Sequence, residues 1–237
     1  LAPHSASSVH ITNPPLYYLS AAALGKLLSP MLPLHDAARI VTGLWMVITL
    51  LMIGMTGREL WGNGFGRQTT FVFIGSLGLV LSAHTLMPAV SALTGIATSF
   101  YALALAKRRP YRSSILLGLG MAVGFLSTGL QPLAIILFTC LALPTVFSLW
   151  RNTSYAKVIM LALVIASPLV LGWCLLCYNF YPNALREWWA LSLNEFGQNF
   201  EHLYYARLLL WYAWPSLPLA ACGLWRYRTQ LLNKHRF

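Results

Sequence analysis

Charge is scarce in this sequence, and negative charge scarcest of all. Five acids stand against sixteen bases, charged residues make up 9% of the chain, and 58% are hydrophobic. An ordinary soluble domain carries about 25% charged residues. That shortage, with a mean hydropathy of +0.65, excludes a typical soluble enzyme and predicts a membrane protein. Also missing are a glycine-rich phosphate loop, a nucleophile elbow and a zincin helix. No nucleotide-binding domain is evident, so an ATP-driven transport engine is excluded within these residues.

Cysteine is sparse too. Cys140, Cys174, Cys177 and Cys222 all lie in apolar runs, where a thiol acts as a small hydrophobe. The "CLLC" pair has redox or metal spacing but no flanking ligand. His4, His10 and His35 share no ligand spacing, so neither a metal site nor a disulfide framework is expected. The chain opens at Leu1 without a methionine, and an N-terminally truncated chain is expected.

Long apolar runs are plentiful. Measured against the roughly 20 residues that cross a hydrocarbon core, they predict seven spans, near 38–57, 69–87, 88–106, 113–128, 130–150, 156–178 and 207–225. Pro88 and the stretch 129–132 break over-long runs and mark tight turns between helices. The fourth run, "LLGLGMAVG", is short and glycine-rich, which predicts close helix packing or a shallow crossing.

The loops then alternate sides. One face gathers Arg58, Arg67, Lys107, Arg108, Arg109, Arg112, Arg151, Lys157, Arg226, Arg228, Lys234 and Arg236, with Glu59 as its one acid. The other keeps Lys26, Arg39, Arg186 and Arg207, balanced by Asp36, Glu187, Glu195 and Glu201. The whole formal net charge of +11 therefore belongs to one face, which the positive-inside rule makes cytoplasmic. Anionic headgroups account for it without nucleic acid. The fold class predicted is an all-α polytopic membrane protein in the bacterial inner membrane, with its C-terminus in the cytoplasm. It forms a single membrane domain: an outer segment 1–36, six spans over 38–178, an outer loop 179–206, and a last span and tail over 207–237.

Parity leaves the segment around "NPPLYY" outside. From Leu16 to Ser29 it offers about 14 residues, roughly 21 Å of helix, and Pro30 and Pro33 close it. That is too short to cross, so an interfacial helix is predicted, with Asn13 as cap, Pro14 and Pro15 in its first turn and tyrosines at headgroup depth. Outer-face candidates follow. His84 is an ionisable group near a span end; Lys26 and Arg39 can meet a lipid phosphate or simply snorkel to water. Glu201 and His202 are the adjacent acid and base of this face. Trp188, Trp189, Tyr204 and Tyr205 read as an aromatic belt or a sugar platform.

The stretches "NPPLYYLSAAALGKLL", "AARIVTGLWMVITLLMIG" and "GLGMAVGFLSTGLQPLAIIL" resemble the polyprenyl-phosphate-sugar glycosyltransferases of the GT-C type. That family includes bacterial aminoarabinose transferases acting on lipid A and relatives of the protein mannosyltransferases. Its K-P-P-L-Y-Y-W motif, interfacial helix and A-A-R at the next span match in order. The resemblance implies transfer of a sugar from a polyprenyl-phosphate carrier to a lipid, glycan or protein acceptor outside the membrane. It implies a donor site around Asn13, Tyr17, Lys26, Arg39, His84, Thr128, Gln131 and Arg207. The family's catalytic acid is expected upstream of Leu1, and no cofactor beyond the donor lipid is expected. Two family lysines are replaced, by Asn13 and Thr128, and a neutral contact to phosphate is roughly half as strong as a charge-assisted one. Two further readings remain open: a non-catalytic lipid-binding or scaffolding subunit with a membrane-protein partner, and a polyprenyl-lipid transporter.

Overall fold

The computed structural model describes residues 4–5, 8–9, 13–28, 33–76, 87–147, 150–197 and 211–232. Apart from a two-residue antiparallel pairing of β1 (His4–Ser5) with β2 (Ser8–Val9), the described residues form helices only. In chain order these are α1 (Leu16–Leu28), α2 (Leu34–Trp61), α3 (Phe65–Ile74), α4 (Ala89–Leu105), α5 (Pro110–Thr128), α6 (Leu130–Val146), α7 (Thr153–Phe180), α8 (Pro182–Gly197) and α9 (Ser216–Leu232).

Small residues set the packing. A Cβ added at Gly95 of α4 would stand 2.5 Å from the Gly124 nitrogen and 2.7 Å from the Gly120 oxygen of α5. Only hydrogen fits there, which is how a G-x-x-x-G face lets two backbones close on each other. Gly118, on another side of α5, meets α7 in the same way, 2.7 Å from the Ala162 oxygen. The glycine-rich run thus serves close packing, and α5 sits at the middle of the bundle between α4 and α7. Leu117, Met121, Ile136, Val158 and Ala162 form the adjoining core.

Hydrogen bonds fix the directions. Trp45 and Thr49 of α2 meet Thr94 of α4, and Glu59 meets Arg108 just beyond α4. Trp45 with Thr94 and Glu59 with Arg108 are each 49 residues apart, so α2 and α4 run parallel. Ser113 at the start of α5 donates to the Ala102 carbonyl near the end of α4 at 2.7 Å, so α5 returns. Glu59, Lys107, Arg108, Arg109 and Arg112 thereby gather at one end of the bundle, as the charge map predicts.

Two helical segments, Arg39–Trp61 and Thr153–Phe180, are long and apolar enough to cross a membrane. The bundle's exterior is lined with apolar side chains such as Leu44, Val47, Leu51, Phe138, Val164 and Leu171. The other predicted spans are less complete. Helices α4 and α6 have 17 residues each, about 25 Å of rise against a core of about 30 Å. Of 69–87, the described helix covers the start, and residues 77–86 lie outside the described residues, as do 207–210 of the last predicted span.

Two sequence expectations change. The segment 179–206, drawn as a loop, contains α8, because Pro182 suits a first helical position and Ala184, Leu185 and Trp188 share an apolar face that packs beside Trp173. Asn13 is not the cap of α1. The first helical residue is Leu16, and the Pro15 carbonyl accepts from the Leu19 N–H at 2.8 Å, so the proline pair precedes the helix rather than forming its first turn.

Candidate functional site

The end of the bundle opposite the cation cluster is built from two seams. In the first, α1 lies on α2. Tyr17, 4% exposed, shares a 2.8 Å hydrogen bond between its hydroxyl and Thr42 Oγ1. One turn on, Trp45 Nε1 donates to Ser20 Oγ at 3.2 Å, and Ser20 Oγ donates to the Tyr17 carbonyl at 2.7 Å. On α2 Arg39 stands one turn before Thr42, and Asn13 precedes α1, four residues before Tyr17. Pro14 is buried, Asn13 half-buried and Arg39 exposed. The seam continues inward through the 2.8 Å bond between Thr49 and Thr94, whose hydroxyls also reach the Trp45 carbonyl at 2.9 and 3.0 Å.

The second seam is the turn from α5 into α6. Thr128 ends α5, half-buried, and Gln131 opens α6, exposed. Between them Gly129 has φ +91° and ψ −133°, a conformation open to glycine. A Cβ there would also stand 2.7 Å from Trp188 Cζ2. Trp188, 2% exposed, closes over the turn from α8 and stacks edge-on with Phe125 and Trp173, centroids 6.1 and 5.2 Å away. The Trp173 indole N–H is buried without a hydrogen-bond partner among the described residues. Such a donor costs about 1–3 kcal/mol to leave unmade. Helix α1 rests on α5 as well as on α2, which links the two seams.

The structure therefore docks Tyr17 on α2 one turn past Arg39, with Asn13 just before α1, and puts Thr128 and Gln131 at the other seam. Lys26 stands apart: exposed on the last turn of α1, it is nine residues beyond Tyr17, about 13 Å of helical rise. His84, Glu201, His202 and Arg207 lie outside the described residues, as do Tyr204 and Tyr205. Of the tryptophan pair, Trp188 is committed to packing and cannot offer a ring face, whereas Trp189 is 47% exposed. Thr42, Ser20 and Trp45 were not singled out from the sequence, although Thr42, Trp45 and Thr49 at i, i+3 and i+7 spell a polar stripe on one helix face. Trp173 was invisible, since an indole in an apolar run gives no sign that its N–H lacks a partner.

Chemically, this end presents amides at Asn13 and Gln131, a hydroxyl at Thr128 and a guanidinium at Arg39: donors suited to phosphate or sugar oxygens. Among the described residues, no three His, Cys, Asp or Glu side chains come together as a metal site. No family model matches the chain, and no curated protein or solved structure matches it either.

Proposed function

We propose that this chain is the membrane core of a GT-C-type glycosyltransferase that takes a sugar from a polyprenyl-phosphate carrier at the outer face of a bacterial inner membrane. Seven spans, the interfacial setting of α1 and a cytoplasmic C-terminus belong to this reading. Its main support is the docking of the N-P-P-L-Y-Y helix on α2. The buried Tyr17–Thr42 bond anchors that helix at the charge-poor end of the bundle, where Arg39 stands one turn before Thr42 and Asn13 four residues before Tyr17. In this role Arg39, with the amide donors of Asn13 and Gln131, stabilises the leaving lipid phosphate, and Tyr17 positions the helix rather than touching the donor.

The test is binding and turnover of polyprenyl-phosphate sugars by the purified full-length protein. Arg39→Gln is expected to weaken donor binding several-fold and Asn13→Lys to strengthen it, while Lys157→Gln, at the opposite end, changes neither. Equal effects of Arg39→Gln and Lys157→Gln would place the site on the wrong face. Donor bound but never consumed favours the second reading, a lipid-binding scaffold, which gains support from the neutral Asn13 and Thr128. Absence of both binding and turnover across a donor panel overturns the glycosyltransferase. The transporter reading is disfavoured because Thr49 and Thr94 close onto each other and onto the Trp45 carbonyl, leaving no polar path along that seam.

A further inference from the structure

At the cation-rich end, α2, α4 and α6 enclose a groove of about 380 Å³, inside the roughly 300–1,000 Å³ range of small-ligand pockets. Its walls include Thr56, Trp61, Leu103, Thr139, Phe147 and Trp150. Every hydrogen-bonding side chain among these except Trp61 is already engaged. Thr56 donates to the Met52 carbonyl at 2.8 Å, Thr139 to the Ile135 carbonyl at 2.8 Å, and Trp150 Nε1 to the Leu103 carbonyl at 3.3 Å. The groove therefore asks for hydrocarbon, not for a polar solute.

Its mouth asks for the opposite. Arg151 donates from Nε and Nη2 to the Pro144 carbonyl, at 3.2 and 3.1 Å, which sets the guanidinium beside the wall residues Leu143 and Phe147. Arg108 meets Glu59, next in sequence to the wall residues Leu60 and Trp61, and its side chain stays 65% exposed. Lys107 is exposed just past Leu103 and Ala104. An acyl-sized apolar slot under guanidinium and ammonium groups matches one kind of molecule.

We infer that this groove is a binding site for a single anionic glycerophospholipid of the cytoplasmic leaflet, its acyl chain between α2, α4 and α6 and its phosphate at Arg108 and Arg151. Opposed charges at the mouth select the headgroup, and the dry walls hold the chain. This site is separate from the proposed donor site, and it rests on the membrane half of that reading, not on glycosyl transfer.

Native mass spectrometry of the detergent-purified full chain, titrated with phosphatidylglycerol or phosphatidylcholine of equal acyl length, tests it. The expected result is one phosphatidylglycerol retained several-fold more strongly than phosphatidylcholine. Arg108→Gln with Arg151→Gln should abolish that preference while the protein stays folded, and Ala104→Phe, which fills the groove, should remove retention of both lipids. Arg186→Gln, a cation at the other end, should change nothing. Equal retention of the two lipids, or undiminished retention in Ala104→Phe, overturns the inference. Recovery of the protein from cells without detergent would instead overturn its membrane setting.

Discussion

At the scale of single residues, the chain repairs the damage its own prolines do. A proline inside a helix has no N–H for the carbonyl four residues back, and in apolar surroundings such a carbonyl must find another donor. Pro144 in α6 deprives Cys140, and the Tyr155 hydroxyl of α7 donates to that Cys140 carbonyl at 2.9 Å. Pro168 in α7 deprives Val164, and Ser167 Oγ donates there at 3.0 Å. Tyr155 is thus more than filler: its hydroxyl completes the backbone of a neighbouring helix. Tyr155→Phe should lower stability by about 1–3 kcal/mol, the cost of a buried acceptor left unmade. Pro144→Ala, which restores the missing N–H, should recover most of that loss in the double variant. Thermal unfolding in detergent measures the cycle, and additive effects of the two substitutions would show that Tyr155 acts through packing alone.

Between elements, glycine position rather than glycine content decides stability. Gly95 sits where α4 and α5 touch backbone to backbone, while Gly43 on α2 has nothing within 4 Å of an added Cβ. Gly95→Val should therefore force the two helices apart and destabilise by about 3 kcal/mol, the upper range for overpacking. Gly43→Ala should raise stability by up to about 1 kcal/mol through helix propensity, so opposite shifts in melting temperature are expected, and shifts of the same sign would refute the packing assigned to Gly95. This contrast explains what was legible beforehand. The run "LLGLGMAVG" announces a close contact, because repeated small residues leave a flat face. Its partner could not be named, since Gly95 and Ser99 resemble any other small residues in an apolar run. The proline-led α1 was legible from its length and its breakers. The α8 helix was hidden because its charged residues mask a short apolar face, and Trp188 reveals its buried role only once Phe125 and Trp173 are beside it. Candidate donors at Asn13 and Arg39 could be listed from sequence, but the separation of Lys26 from them depends on the direction of α1.

For the whole molecule, the unequal ends carry the strongest argument about orientation. The pairing of Glu59 with Arg108 at 3.1 Å adds little energy, since an exposed ion pair is worth about 0–1 kcal/mol. It matters as a geometric marker: it places the end of α2 and the turn after α4 on one side, together with the basic residues around it. At the other end, α8 follows α7 after the single residue Tyr181, on the side where Arg186 and Glu187 nearly cancel. A bilayer with anionic lipid inside favours one orientation of such a bundle. Single cysteines placed at Tyr111, 79% exposed near Arg112, and at Asn183, exposed in the first turn of α8, read that orientation in a background cleared of the four native cysteines. A membrane-impermeant maleimide is expected to label position 183 in intact cells and position 111 only after the membrane is opened. Labelling of both from outside, or of position 111 alone, would refute the orientation, and with it the assignment of Asn13 and Arg39 to an outer face.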